Sequence, residues 1–342
     1  MSFSVKCEQS GLEYCGAGLN ALFAQRGNLI RPGFWGMLRD ILRFNREAPA
    51  LLDSDDNDIS LGDFLAAGAY GRRFIEHYLV PMGAAIWSAS PDDMQRFPAR
   101  FVIRFFDNHG LLSVFDQPQW QVIRGGSREY VRRLVAPFAD RIRTGAPVEG
   151  IARRGGKVIV RARGHAPETF DHVFIATHSD QALRMLDEPT REERAILGAI
   201  PYQRNEAVLH VDANVLPRRR AAWAAWNYHI LPEGHGRVAV SYNMNILQGL
   251  EAPVQFCVTL NNSAAIDPAR VLRTMIYEHP VFTPSAVAAQ RRKEEIDGIR
   301  NTWYCGAYWR NGFHEDGVVS ALDAVDKFRN RIDEQLPVRR SA

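Results

Sequence analysis

The sequence predicts an α/β chain assembled from interleaved pieces, and three observations carry that prediction. Residues up to about 117 place apolar side chains at three- and four-residue spacing, residues 205–260 are strand-like and aromatic, and a late strand, Thr302–Tyr304, meets Gly306 and passes through a polar loop into a helix. The 342 residues exceed what one hydrophobic core usually serves, so about two domains are expected. Hydrophobic residues at 46% and charged residues at 24% are globular averages, which excludes a mainly disordered or collagen-like chain. Lys+Arg 42 against Asp+Glu 39 leaves a net charge of +3, with the arginines scattered among acids, so nucleic acid is not an expected partner. No apolar run approaches the roughly 18 residues of a membrane span, and Met1 to Lys6 lacks the long apolar stretch of a signal peptide. The expected location is the cytoplasm. Cys7, Cys15, Cys257 and Cys305 form no C-x-x-C pair and are too sparse for a disulfide framework, so reduced thiols and no metal site are expected.

Taken in order, Phe3 to Tyr14 alternates about a Ser10-Gly11 turn and reads as a β-hairpin. Leu19–Gln25 and Phe34–Phe44 read as helices, punctuated by Pro32 and Pro49. The acidic run from Asp53 to Asp58 is a solvated turn, because Asp58 replaces the glycine a calcium loop needs and Phe64 stands where its bidentate Glu should be. Ser60, with Asp63 three residues on, predicts a capped helix start, and Leu61–Trp87 reads as helical with breaks near Gly71 and Pro81. Gln121–Ile123 ends in a Gly125-Gly126 turn, after which Ser127 is expected to cap a helix over about 128–140. Strands are expected over Thr144–Ile151, Lys157–Arg163 and His172–Ala176, the last a buried V-F-I-A run, and a helix over Gln181–Leu186. Val208–Val211, Trp223–Ile230 and Arg237–Tyr242 predict an antiparallel sheet with hairpins at Gly234 and Gly236. The final helix is expected over about 317–330. Trp223, Trp226 and Tyr228 read as core or pocket wall, since they are only partly in step with one sheet face.

The most informative segment is Trp303-Tyr304-Cys305-Gly306-Ala307, followed by a polar loop and Phe313-His314-Glu315-Asp316-Gly317-Val318. A strand that ends at glycine and re-enters a helix exposes backbone N–H groups at a partly positive helix start, which suits an anionic or electron-rich ligand edge. The alternative is an ordinary β-α connection in which Asp316 caps its own helix. This segment resembles the C-terminal flavin-binding motif of the flavin-containing amine oxidase, phytoene desaturase and protoporphyrinogen oxidase superfamily, and the chain is similar to bacterial NAD/FAD-binding amine-oxidase-like proteins. Gly125-Gly126, Val148-Glu149-Gly150-Ile151 and Asp171-His172-Val173-Phe174-Ile175-Ala176-Thr177 follow the same family pattern in order and spacing, over roughly residues 120–186 and 295–330.

The resemblance implies FAD as cofactor and an FAD/NAD(P)-binding Rossmann-like domain. It puts Val148 beside the adenine, Gly306 and Ala307 beside the ribityl-pyrophosphate portion, and Asp316, Gly317 and Val318 near the pyrimidine edge of the flavin, with Thr177 joining the cofactor-binding set. Many family members carry an acid after the loop glycine; Ala307 supplies no such side chain. The family's opening strand, G-x-G-x-x-G and helix are not matched: Gly16-Ala17-Gly18-Leu19-Asn20-Ala21 fits G-x-G-x-x-A by letter, yet follows a hairpin strand and leads to Arg31-Pro32. The Rossmann-like domain is therefore expected to be incomplete. Met1 is expected to lie inside a longer family-type sequence, or else the cradle has been lost, and the chain alone is expected to bind FAD weakly or not at all.

Catalytic residues are not assigned. Lys6, Lys157, Lys293 and Lys327 lie outside the strand context in which many family members place a flavin-proximal lysine, which weakens an amine-oxidation reading. His178, His229, His235 and His314 are possible proton acceptors or structural histidines. Cys305 reads as a small apolar strand residue. The expected organisation is a substrate domain from 1–117 and 187–294, helical in its first part and antiparallel sheet in its second, with an FAD-binding domain from 118–186 and 295–335. The expected function is FAD-dependent oxidation of a small or hydrophobic, even lipid-like, organic substrate by hydride transfer to flavin. The rivals are a truncated or degenerate member without tight FAD binding and a non-catalytic ligand-binding protein.

Overall fold

Ser10 and Gly11 turn the chain between β1 (Phe3–Cys7) and β2 (Glu13–Cys15), the hairpin that the alternation predicts. The structure is a computed structural model and describes residues 2–54, 59–113, 120–232 and 239–335. It divides into two units, Met1–Pro137 with Gln203–His279, and Phe138–Tyr202 with Pro280–Ala342. Asp55–Asp58 of the acidic run, His235 and the expected hairpin glycines Gly234 and Gly236 lie outside the described residues.

In the first unit the hairpin joins a seven-stranded sheet with β7 (Tyr202–His210), β8 (Trp226–Ile230), β9 (Ala239–Asn243), β10 (Cys257–Leu260) and β11 (Val271–Pro280). The order is β11-β7-β10-β9-β8-β1-β2, antiparallel from β7 to β8 and parallel between β1 and β8. Period-two alternation gives the sheet two different faces. Tyr228, Val240, Leu260 and Ala207 pack with Ala84 and Ala85 in an apolar cluster, whereas Ser4, Asn227, Ser241 and Thr259 form a buried polar row.

The helices of this unit are α1 (Leu19–Leu22), α2 (Pro32–Glu47), α3 (Leu61–Ala67), α4 (Arg72–Phe74), α5 (Val80–Trp87), α6 (Pro91–Arg96), α7 (Ala99–Asn108), α8 (Arg128–Val135) and α11 (Met244–Gln248). Phe34, Met37 and Phe44 are the buried stripe of α2, and Ser60 caps α3 by accepting from Asp63 N at 3.1 Å. The break at Gly71 is present, but the one expected at Pro81 is not. Pro81 stands at the start of α5, and a π-helical turn, Ile75–Leu79, precedes it, so the missing N–H falls where the bonding pattern has already changed. Gln121–Ile123 is not a strand, and Ser127 precedes α8 without a side-chain cap, its φ of −61° and ψ of −24° being helical instead of extended.

The second unit holds β3 (Val148–Arg154), β4 (Lys157–Ala162) and β5 (Glu168–Phe170) as an antiparallel sheet, and β6 (Val173–Ile175) with β12 (Thr302–Tyr304) as a parallel pair. Its helices are α9 (Ser179–Met185), α10 (Arg191–Leu197), α12 (Pro284–Gln290) and α13 (His314–Gln335). Ile151, Val158, Ile175, Ile196, Leu197 and Tyr304 meet in one core. The V-F-I-A run is buried only at Ile175: Phe174 points the other way, stacks on Trp303 and meets Phe328 of α13 edge-on. One face of the β6–β12 pair thus carries α13 and the other the core. The edge of β12 away from β6 is spoken for, since Tyr304 N donates to Asp297 Oδ1 at 3.0 Å and Gly298 N to Thr302 O at 2.8 Å.

Inside this core lies an ion pair. Glu193 accepts from Arg153, from Tyr304 Oη at 2.7 Å and from Thr190 N at 2.7 Å, and the Arg153 and Glu193 side chains are 2% and 0% exposed. Burial pulls the Glu193 carboxyl upward, but the Arg153 and Tyr304 bonds outweigh it and hold the group below its ordinary value.

Candidate functional site

Gly306 follows β12 with φ at 155°, and a Cβ there would stand 2.5 Å from the Tyr308 ring, so only glycine fits the turn. Its N–H donates to Ser320 Oγ at 2.8 Å, and Ser320 donates in turn to Gly317 O at 2.9 Å. The turn Ala307–Trp309 then lays Ala307 against Gly317: a Cβ built on Gly317 would meet nothing nearer than Ala307 N, at 3.8 Å. Gly306, Ala307 and Gly317 are therefore gathered at one junction of strand end and helix start. Val318 follows, 48% exposed. The parallel register sets Ile175 opposite Tyr304, and Thr177 and Gly306 each follow their paired strand by two residues.

Val148 and Asp316 have bonds of their own. Val148 opens β3 in the three-stranded sheet, and among the described residues no hydrogen bond joins it to the junction. Asp316 Oδ2 accepts from Phe313 N at 3.0 Å, so its carboxylate caps its own helix, as the ordinary β-α reading anticipates. Ser320 is the residue that sequence reading passes over. Its signal, a hydroxyl three residues after Gly317 inside a helix, acquires meaning only when Gly306 is brought to it.

The ledge fits a flat, electron-rich group in part. Glycine, alanine and an exposed valine at the carboxyl ends of parallel strands leave room for a ring edge to approach backbone. Gly16-Ala17-Gly18 does not add a phosphate cradle, because it follows β2 of the antiparallel hairpin and leads into the four-residue α1, outside any βαβ unit.

The four lysines are all engaged. Lys6 donates to Val215 O and Leu216 O, Lys157 pairs with Asp171, Lys293 with Asp297 and Asp323, and Lys327 with Glu294 and Asp323. His178 stacks on Tyr202 at 4.4 Å and starts α9, and His229 is buried in the polar row of the large sheet. His314 opens α13 beside the junction. Cys305 is 6% exposed and burial pushes its thiol up, so it is no nucleophile. Among the described residues no cluster of His, Cys, Asp and Glu could hold a metal ion, and no helix is long and apolar enough to cross a membrane.

Solved structures share this fold across nearly the whole chain. A fatty acid isomerase from P. acnes that produces CLA superposes with TM-score 0.65 at 15% identity, covering 96% of this chain and 80% of its own. Cyclohexylamine oxidase from Brevibacterium oxydans IH-35A gives 0.62 at 13%, covering 97% and 81%, and a reduced UDP-galactopyranose mutase gives 0.61 at 10%, covering 96% and 78%. At such identities the likeness establishes the α/β, Rossmann-like fold alone. No curated protein matches the sequence. The family description "Flavin containing amine oxidoreductase" matches residues 29–216, more than half of the chain. With the glycine ledge at the strand ends and that match together, the chain belongs to the flavin-containing amine oxidoreductase family.

Proposed function

We propose that the chain is an FAD-dependent oxidoreductase acting on a small or hydrophobic organic substrate. Segments 118–186 and 295–335 would form the FAD-binding domain, and 1–117 with 187–294 the substrate domain. The observation that carries this reading is the open space beside Gly317, bordered by Ala307 and followed by the exposed Val318, at the junction that Gly306 turns the chain to reach. FAD bound there would supply the hydride-accepting chemistry of the family. This chain's own residues would bind and orient it: Gly317 by leaving space, Ala307 by presenting backbone, Gly306 by making the turn that brings Ala307 there, Val318 by offering an apolar surface, and Asp316 by fixing the helix start that aims them. The names of the similar structures, a fatty acid isomerase and a cyclohexylamine oxidase, support a small or lipid-like substrate. Four free, buried thiols support a cytoplasmic location.

The test is FAD titration followed by flavin absorbance and fluorescence, comparing the chain with Gly317→Val. Gly317 has ordinary backbone geometry and open space beside it, so the variant should melt like the parent while its affinity for FAD falls at least tenfold. Equal affinities would reject the ledge as the cofactor site.

A further inference from the structure

A chain of hydrogen bonds crosses four strands of the seven-stranded sheet, and its direction can be read without seeing a proton. Asp212 N donates to His210 Nδ1 at 3.1 Å, so that nitrogen is an acceptor and the imidazole is neutral with its proton on Nε2. His210 Nε2 lies 2.7 Å from Thr259 Oγ1 and must donate to it. Thr259 then gives its proton to Ser241 Oγ, 2.7 Å away, and Ser241 gives its own to His229 Nε2 at 2.9 Å. His229 is left with its proton on Nδ1, where no protein partner meets it. His210, Thr259 and Ser241 are 0% exposed and His229 is 2% exposed, so water does not set these tautomers.

The His210 end of the chain also holds a loop. Asp212 accepts from Asn214 N at 3.1 Å and from Asp267 N at 3.0 Å, and the segment it anchors places Val215 and Leu216 over Val208 and Cys257 on the polar face. We propose that His210 is a proton-operated latch: uptake of one proton at its Nδ1 sets N–H against the Asp212 N–H, breaks that bond and loosens the turn at Asp212, while Lys6 still holds Val215 and Leu216 further along the segment. The charged and titratable groups facing the latch are Asp212 and Asp267 with Arg270, Cys257 across from β10, and Lys6, which stands in register with His229 at the far end. Cys257, its thiol pushed up to about 12 by burial, stays neutral, and burial of Asp212 is outweighed by the backbone N–H groups it accepts, so it stays ionised. Burial lowers His210 more than Asp212 raises it. A histidine held below its unfolded value of about 6.5 gives stability that is present above that pH and is lost as pH falls, up to about tenfold in the opening constant per pH unit.

The experiment is amide exchange at Asp212 and Asn214 between pH 8 and pH 5, on the chain and on His210→Asn, with long-range ¹⁵N–¹H spectra of the histidines at pH 8. Asn keeps an acceptor for the N–H two residues on and does not titrate. Protection in the parent should fall by up to about tenfold per pH unit below about 6.5, and the variant should show a shallower fall, the part that remains coming from His229. The spectra should show Nε2–H on His210 and Nδ1–H on His229. Equal pH dependence in parent and variant overturns the latch, and so does an Nδ1–H tautomer of His210, a readout that needs no variant.

Discussion

The two units bury polar groups by different means. In the large sheet the buried row is neutral, hydroxyls, an amide and imidazoles bonded from strand to strand, as period-two alternation allows. In the second unit the buried group is an ion pair, and Glu193 draws partners from β3, β12 and the start of α10. A neutral row can lose one member and leave dipoles unpaired. A charged knot that loses one member leaves a charge unpaired, which costs more.

That difference can be broken first at Glu193. Glu193→Ala should strand the Arg153 guanidinium in the core and destabilise the chain by about 3–5 kcal/mol in urea unfolding, with Glu193→Gln less severe because the Tyr304 and Thr190 bonds can persist. Acid is the next largest lever and sorts the units. Burial, helped by Lys6, draws His229 from 6.5 down to about 3, so stability from keeping it neutral is whole above pH 6.5 and falls by up to about 1.4 kcal/mol per pH unit below it. Glu193, held below its ordinary 4.5, keeps its contribution until the pH falls beneath that value. Amide protection in β9 should therefore decline from about pH 6.5 and that in β12 only from about pH 4.5; simultaneous decline would show that the two devices are not distinct.

Ser241→Ala should cost about 1–3 kcal/mol, because it leaves His229 Nε2 and the Thr259 hydroxyl without their partner. Ser60→Ala removes an exposed cap and should cost about 1 kcal/mol, seen as a small fall in Tm. Replacing Gly306 by valine should destabilise the chain through Tyr308, whereas Gly317→Val should leave the melt within about 0.5 kcal/mol of the parent.

Local signals in the sequence reached far. Thr302–Tyr304 is the strand expected, because a β-branched and aromatic run stops at a glycine, and Ser60 with Asp63 announces its cap. Thr190 and Glu193 carry the same signal, a capping box for α10, and β5 and β11 are strands by their pairing, not by their composition. Pro81 misled because a π-helical turn absorbs it. At the site, glycines mark themselves by backbone need, so Gly306 and Gly317 were legible. The tie through Ser320 was not, since it depends on a chain excursion that folding alone closes. The deeper polar row was invisible for the same reason: His210, Ser241 and Thr259 are unremarkable until three strands align them.

The burial of every thiol has a practical consequence. Cys7, Cys15, Cys257 and Cys305 are all free and buried, and even Cys7, where burial raises the thiol but bonds from His77 and Ser10 bring it down to about 7, is 3% exposed. A maleimide dye offered to the folded chain should find nothing to attack. A single cysteine written onto the outer side of α13, as in Leu322→Cys at a position 57% exposed, would then be the one address such a dye can read. The native chain is thus already the blank page that fluorescence work usually has to engineer.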